Sequence, residues 1–216
     1  MMDVFTQTVV TIGRVSPQGV AMLGTGFLVR SDGLIVTPRH VIGDNDQGLV
    51  VLVPHIHSFS QYQDTSNNQC HLIDAKIKEI DPMRDLAIIK INKHFPGISP
   101  SISGFDHVNV AEKIEVYGYP HCVEGRRVLT YQSAEIGSRI LIESNGIKSK
   151  FAIINTQSRP GQSGSLIYSP RLNSIVGILI GAYVPDGVGV SVAGINPHEL
   201  NQTTQCISSE YILEML

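Results

Sequence analysis

Apolar residues fall in short runs along the chain, separated by breaks rich in Gly, Pro, Asn and Asp. Val4 to Ile12, Ala21 to Arg30, Leu34 to Thr37, Leu49 to Pro54, His71 to Ile80, Leu86 to Ile91 and Lys113 to Tyr117 read as strands in the first half. Arg127 to Gly137, Arg139 to Glu143, Phe151 to Thr156, Ser165 to Tyr168, Ile175 to Ala182 and Gly187 to Ala193 continue the pattern. Ser31-Asp32-Gly33 supplies a tight turn between two of these runs, which predicts a hairpin. His55 to Gln69 is polar and reads as a long exposed loop, and Phe95 to Asn109 as a crossover between two halves. The helical stretch is terminal: Ser208-Ser209-Glu210 offers an N-cap, followed by Tyr211, Ile212, Leu213, Met215 and Leu216. Roughly a dozen short strands without long amphipathic helices predict an all-β sandwich or barrel and exclude a parallel α/β sheet.

Composition narrows the function. The 216 residues carry a formal net charge of -3, and 42% are hydrophobic, enough for a sizeable core. Lys and Arg are scattered, so no nucleic-acid partner is expected. The apolar runs are too short to span a bilayer as helices, so no membrane partner is expected. Met1-Met2-Asp3-Val4 lacks the basic and apolar regions of a secretory signal, which predicts a cytoplasmic, intracellular protein. Three cysteines, Cys70, Cys122 and Cys206, are too few and odd in number for a disulfide framework. Cys122 follows His121 but reads as a free cysteine in a loop. His55, His57, Cys70 and His71 bracket the polar loop at a spacing that matches no standard zinc motif, so neither metal nor cofactor is expected.

Three segments carry the candidate chemistry. Pro160-Gly161-Gln162-Ser163-Gly164-Ser165 places a serine between two glycines after a proline. Such a turn exposes a hydroxyl and aims amide N–H groups at one spot, as acyl transfer requires. His40 falls just after the strand that ends at Pro38, and imidazole suits proton shuttling near neutral pH. Asp85 leads into the apolar strand Leu86 to Ile91, where a carboxylate can hold a histidine tautomer. The order His, Asp, Ser marks one convergent form of the catalytic triad.

With these residues in place, the chain resembles the trypsin-like peptidases of the chymotrypsin fold, and among them the HtrA/Deg-type protease domains. Gly24-Thr25-Gly26-Phe27, Thr37-Pro38-Arg39-His40-Val41-Ile42, Asp85-Leu86-Ala87-Ile88-Ile89-Lys90-Ile91, Val116-Tyr117-Gly118-Tyr119-Pro120 and Pro160 to Ser165 carry the resemblance, which covers roughly Val4 to Leu200. It implies one peptidase domain over residues 1–216, made of two packed antiparallel six-stranded β-barrels. The first spans about 1–100, the second about 110–205, and a short helix about 208–216. It implies a serine endopeptidase with His40, Asp85 and Ser163 as catalytic residues and the Gly161 and Ser163 amides as oxyanion hole. Gln157 would lie at the base of the specificity pocket, with Ile180, Gly181 and Ala182 on one wall and Gly189 to Val192 on another. An uncharged base disfavours Arg or Lys and suits an apolar or small side chain. Gln162 is expected to act mainly through its backbone. Ser165 stands where a second glycine is usual, Leu166 where proline is common, and Arg39 where a small residue precedes the histidine. The partners implied are a protein or peptide substrate and a separate regulatory protein. The alternative is a catalytically silent or partner-activated module that works by binding.

Overall fold

The computed structural model describes residues 2–67, 69–95, 100–182 and 203–216. Six strands, β1 (Val9–Ser16), β2 (Gly19–Arg30), β3 (Leu34–Pro38), β4 (Leu49–Leu52), β5 (Leu72–Asp81) and β6 (Leu86–Ile91), form a closed antiparallel barrel in the order β1-β2-β3-β6-β5-β4. Pairing of Thr11 with Leu52 and Arg14 with Leu49 closes it. The second half contributes β7 (Ser101–Ile102), β8 (Lys113–Gly118), β9 (Thr130–Ser144), β10 (Ile147–Ile154), β11 (Leu166–Ser169), β12 (Ser174–Ala182) and β13 (Thr204–Ser208). Their order is β11-β8-β9-β10-β13-β12, with β7 beside β12, and a β11–β12 pairing joins the two ends. The fold is all-β, two packed six-stranded barrels of the chymotrypsin type.

Strand periodicity explains why so many runs are apolar without interruption. Along β1, β3 and β6, Val10, Ile12, Ile35, Ile89 and Ile91 fill the first barrel. Their neighbours Val9, Leu34, Val36, Leu86 and Ile88 point the other way. They join Tyr117, Leu166, Tyr168 and Ile178 in a core drawn from both barrels. Ile114, Val116, Ile136, Ile154, Ile167 and Val176 belong to the second barrel's own cluster. Each fully buried Ile or Leu contributes roughly 1.5–3 kcal/mol, so a core shared by two barrels holds them firmly together.

Several expected elements differ. Residues 5–8 form a helical turn, α1 (Phe5–Thr8), rather than strand, because the Thr6 and Thr8 hydroxyls donate back to the Asp3 and Val4 carbonyls. The runs on either side of Gly137 form a single strand, β9. Gly137 is a close approach, not a turn: a Cβ there would come within 2.5 Å of Asn155 Oδ1. The reversal comes later, at Asn145-Gly146, where both residues have positive φ. β13 was not expected, and the expected strand Gly187 to Ala193 lies outside the described residues. The terminal helix forms as α3 (Glu210–Met215), but Ser209 makes no side-chain cap. Its hydroxyl donates instead to the Ile175 and Ser103 carbonyls at 2.9 and 3.2 Å, fastening the helix to the second barrel.

Candidate active site

His40 lies on α2 (Arg39–Ile42), one helical turn beyond β3. Gly43, at φ 65°, ends that turn and donates its amide to the Arg39 carbonyl at 2.8 Å. The Arg39 guanidinium grips the Asp44 carboxylate through Nε at 2.7 Å and a terminal nitrogen at 2.5 Å, so the arginine clamps the turn from outside. Asp85 holds it from the other side. Its carbonyl accepts the Arg39 amide at 2.8 Å. Its backbone sits in the left-handed region at φ 57°, which aspartate tolerates better than most residues. The carboxylate then makes two contacts with His40: Oδ1 accepts the backbone amide at 2.9 Å, and Oδ2 lies 2.5 Å from Nδ1. An ionised carboxylate only accepts hydrogen bonds, so Nδ1 is the donor in this contact, and in a neutral ring with that tautomer the lone pair falls on Nε2. The His40 side chain remains 47% exposed, open to an incoming molecule.

The serine comes from the loop between β10 and β11, which is moulded by backbone close approach. Gly161 and Gly164 have φ of 91° and 92°. A Cβ at Gly164 would fall 1.8 Å from the Thr25 carbonyl, and one at Gly161 2.6 Å from Cys122 Sγ. Glycine is therefore required at both by contact as well as by conformation. Thr25, fully buried in β2, binds the loop to the first barrel. Its amide donates to the Ser163 carbonyl at 2.9 Å, and its hydroxyl donates to the Gly161 carbonyl at 2.9 Å while accepting the Tyr119 amide at 3.0 Å. A Cβ on Gly24 would meet both Val41 Cγ1 at 2.9 Å and the Ser163 carbonyl at 3.1 Å, so this glycine lets the serine loop approach the histidine's turn.

Gln162 does more than lend its backbone. Its side chain is buried, accepts the Arg159 amide at 2.7 Å and donates to Gln132 on β9 at 2.6 Å. Ser165 is fully buried and outside the positive-φ set, so it fits without strain. Its amide and hydroxyl both return to the Gln162 carbonyl, at 2.8 and 2.6 Å. Cys122 is not in an open loop: it is buried beneath the turn, 3.6 Å from the Gly161 carbonyl. Burial pushes its thiol up to about 12, which leaves it unreactive at neutral pH.

Two amides stand apart from this network. The Pro160 carbonyl accepts the His121 amide at 2.6 Å. A trans peptide sets N–H opposite C=O, so the Gly161 N–H points away from His121. Among the described residues neither this amide nor that of Ser163 donates a hydrogen bond. The Ser163 hydroxyl donates to the Ile180 carbonyl at 2.8 Å, and among the described residues no hydrogen bond joins it to His40. Ile180 and Gly181 are half-buried and Ala182 exposed at the end of β12, and Gln157 is half-buried just beyond β10. The expected wall at Gly189 to Val192 lies outside the described residues. Among the described residues no group of His, Cys, Asp or Glu could hold a metal ion. Thr25, the Gln162 side chain and the His121–Pro160 bond were not foreseen from sequence; the glycines around Thr25 marked its position but not its partners.

Residues 24–178 match the family model described as trypsin-like peptidase domain. The chain is 28% identical over 171 residues to a probable periplasmic serine endoprotease DegP-like of Brucella suis, covering 79% of this chain and 29% of that protein. It is 25% identical to the magnetosome formation protease MamE of Magnetospirillum gryphiswaldense, over 82% of this chain and 22% of that protein. The chain thus spans less than a third of the length of these relatives. Among solved structures, the active form of the Rv3671c protease from M. tuberculosis superposes with a TM-score of 0.71 at 20% identity, covering 100% of this chain and 82% of that one. The HtrA-type protease AlgW with a decapeptide gives 0.68 at 16% identity, covering 97% and 63%. The cytoplasmic, intracellular placement expected from the N-terminus finds no support here, since the DegP-like relative is described as periplasmic. No described helix is long and apolar enough to cross a membrane. The family match, spanning most of the chain and all three candidate catalytic residues, makes this protein a member of the trypsin-like peptidase domain family.

Proposed function

We propose that this chain is a serine endopeptidase in which Ser163 attacks the peptide carbonyl and His40 and Asp85 handle the proton. The observation that carries the reading is the pair of undonated amides, Gly161 and Ser163, on a loop whose Arg159, Gln162, Gly164 and Ser165 amides are all tied down. They suit an oxyanion hole, whose donors are worth about 10²–10³-fold each in rate. On substrate binding the Ser163 hydroxyl leaves the Ile180 carbonyl and turns to His40 Nε2, which takes its proton. The charged imidazole is stabilised by Asp85 and then protonates the leaving amine. Water, deprotonated by the same nitrogen, attacks the acyl carbon, and that proton passes to the Ser163 oxygen as its bond to the acyl group breaks. The freed Ile180 carbonyl becomes an acceptor for a main-chain amide of the substrate. Gln157 supports a preference for an apolar or small side chain before the scissile bond, and the substrate is a protein or peptide.

The contact between Ser163 and Ile180 also favours a second reading, a resting module that needs a separate regulatory protein before it cuts. Labelling with a fluorophosphonate separates the two. The active reading expects the wild type to label and Ser163→Ala and His40→Ala not to. Absence of label on the wild type, with the melting transition intact, would favour the resting module. Cleavage profiling on a peptide library then tests the pocket, and a preference for Arg or Lys would overturn the role given to Gln157.

A further inference from the structure

Between the polar loop after β4 and the segment before β9 lies a cavity of about 560 Å³, away from His40 and Ser163. Its walls come from both barrels and are fastened by a reciprocal pair: Gln63 Nε2 donates to the Leu129 carbonyl at 2.9 Å, and the Leu129 amide donates to Gln63 Oε1 at 2.8 Å. One side is apolar, with Met22, Leu52 and Ile56. The other carries Arg126, Arg127 and His55.

The cationic side is under-compensated. Arg127 is half-buried and donates to the Val53 carbonyl, yet among the described residues neither it nor Arg126 has an ion-pair partner. Its Nε and the Nδ1 of His55 are shielded from solvent with no hydrogen-bond partner. Buried polar groups left unsatisfied are rare, and each marks a place where a partner is wanted. Burial pushes the Arg127 guanidinium below its ordinary pKa, and burial together with the Arg127 charge does the same to the His55 ring, against the opposing pull of a contact with Gln63. Asp64, the carboxylate at the rim, is exposed and accepts the Ser66 amide and hydroxyl at 2.9 and 2.7 Å. The volume falls within the range of small-molecule sites, roughly 300–1,000 Å³, which favour domain interfaces.

We propose that this cavity binds an organic anion, its carboxylate or phosphate head against Arg127 and Arg126 and its apolar body against Met22, Leu52 and Ile56. The head supplies the missing negative charge, and the tail covers the apolar wall. This site does not rest on the proposed protease chemistry. Calorimetric titration of the whole chain with octanoate, octyl phosphate and octanol tests it, with thermal melting in parallel. Saturable binding and a raised melting temperature are expected with octanoate, with octyl phosphate or with both, telling which head the site takes. Octanol, with the same tail and no charge, should give neither. Arg127→Met should weaken the better anion at least tenfold. Arg126→Gln, at an exposed position where folding is not at stake, should weaken it severalfold and carries the comparison if Arg127→Met does not fold. No binding of either anion, equal binding of octanol, or affinity unchanged in the folded variants would overturn the proposal.

Discussion

Asp85 joins conformation and charge in one residue. Its left-handed backbone is tolerated by Asp and Asn but costs roughly 1 kcal/mol or more in most other residues. Asp85→Asn should therefore keep the turn while losing the charge and the acceptor that fix the His40 tautomer. The expected result is a loss of about 10⁴-fold in fluorophosphonate labelling rate with little change in melting temperature. Asp85→Ala should lose comparable activity and, in addition, about 1 kcal/mol of stability. If Asp85→Asn labels at the wild-type rate, the histidine is held by something else. The histidine, aspartate and serine were legible in sequence because their chemistry is rare and their motifs local. Thr25 and Gln162 were not, because what each does depends on partners far along the chain: Gly161 and Tyr119 for Thr25, Gln132 for Gln162.

At the scale of elements, the serine at 165 is accommodated by a glycine on a neighbouring strand. A Cβ on Gly118, the last residue of β8, would fall 1.8 Å from Ser165 Oγ. Gly118→Ala should destabilise the chain, and adding Ser165→Gly should recover much of the loss, with a coupling of about 0.5–3 kcal/mol in a denaturant double-mutant cycle. Additive losses would show that the two positions do not compete for space. Just before β8, Glu112 ties its own segment to the end of β11 and the turn after it, accepting from the Asn109 amide at 3.1 Å, Ser169 at 2.9 Å and Arg171 at 2.8 Å. Burial pulls its pKa up, but Arg171 and the two neutral donors outweigh it and hold it below the ordinary glutamate value. A depressed folded pKa stabilises above the unfolded value and loses that contribution as pH falls through the folded one. Glu112→Gln should then cost about 1 kcal/mol at pH 7, discounted for the exposed Arg171, and the gap should narrow once the pH is brought below the ordinary glutamate range. Urea melts on either side of that range decide it; an equal gap at both would mean the charge plays no part. Strands were mostly legible from periodicity. Where the strands differ the causes are physical: Gly137 reads as a break in the sequence but is an approach site for Asn155, and the run is broken instead at the Asn145-Gly146 turn.

Across the molecule, the barrels meet through an apolar core and through a small set of polar ties. Arg84, on the first barrel, bonds Asp81 and Glu214 at 2.9 and 3.0 Å and lies 4.1 Å over the Tyr211 ring, which attaches the terminal helix. Thr25 is the tie nearest the candidate active site. Thr25→Val keeps its shape and removes the hydroxyl, leaving the Tyr119 amide without its partner in the interior. A loss of about 1–3 kcal/mol is expected, together with a fall in labelling of about 10²-fold as the Gly161 turn loosens. A labelling rate unchanged by the substitution would show that the turn holds its shape alone. The pairing of barrels was not readable from periodicity, since the alternate faces of β1, β3 and β6 are equally apolar; it entered through family resemblance.

The distance along the chain between Thr25 and its acceptor, 136 residues, bears on the protein's manufacture. A ribosome releases the amino-terminal half first, and domains tend to fold in that order. The surface that shapes the serine loop is thus finished before the loop itself has been translated. A chain made only as far as Asp85 holds the histidine and aspartate but cannot hydrolyse its neighbours, and the proposed chemistry starts only once Ser163 has been translated.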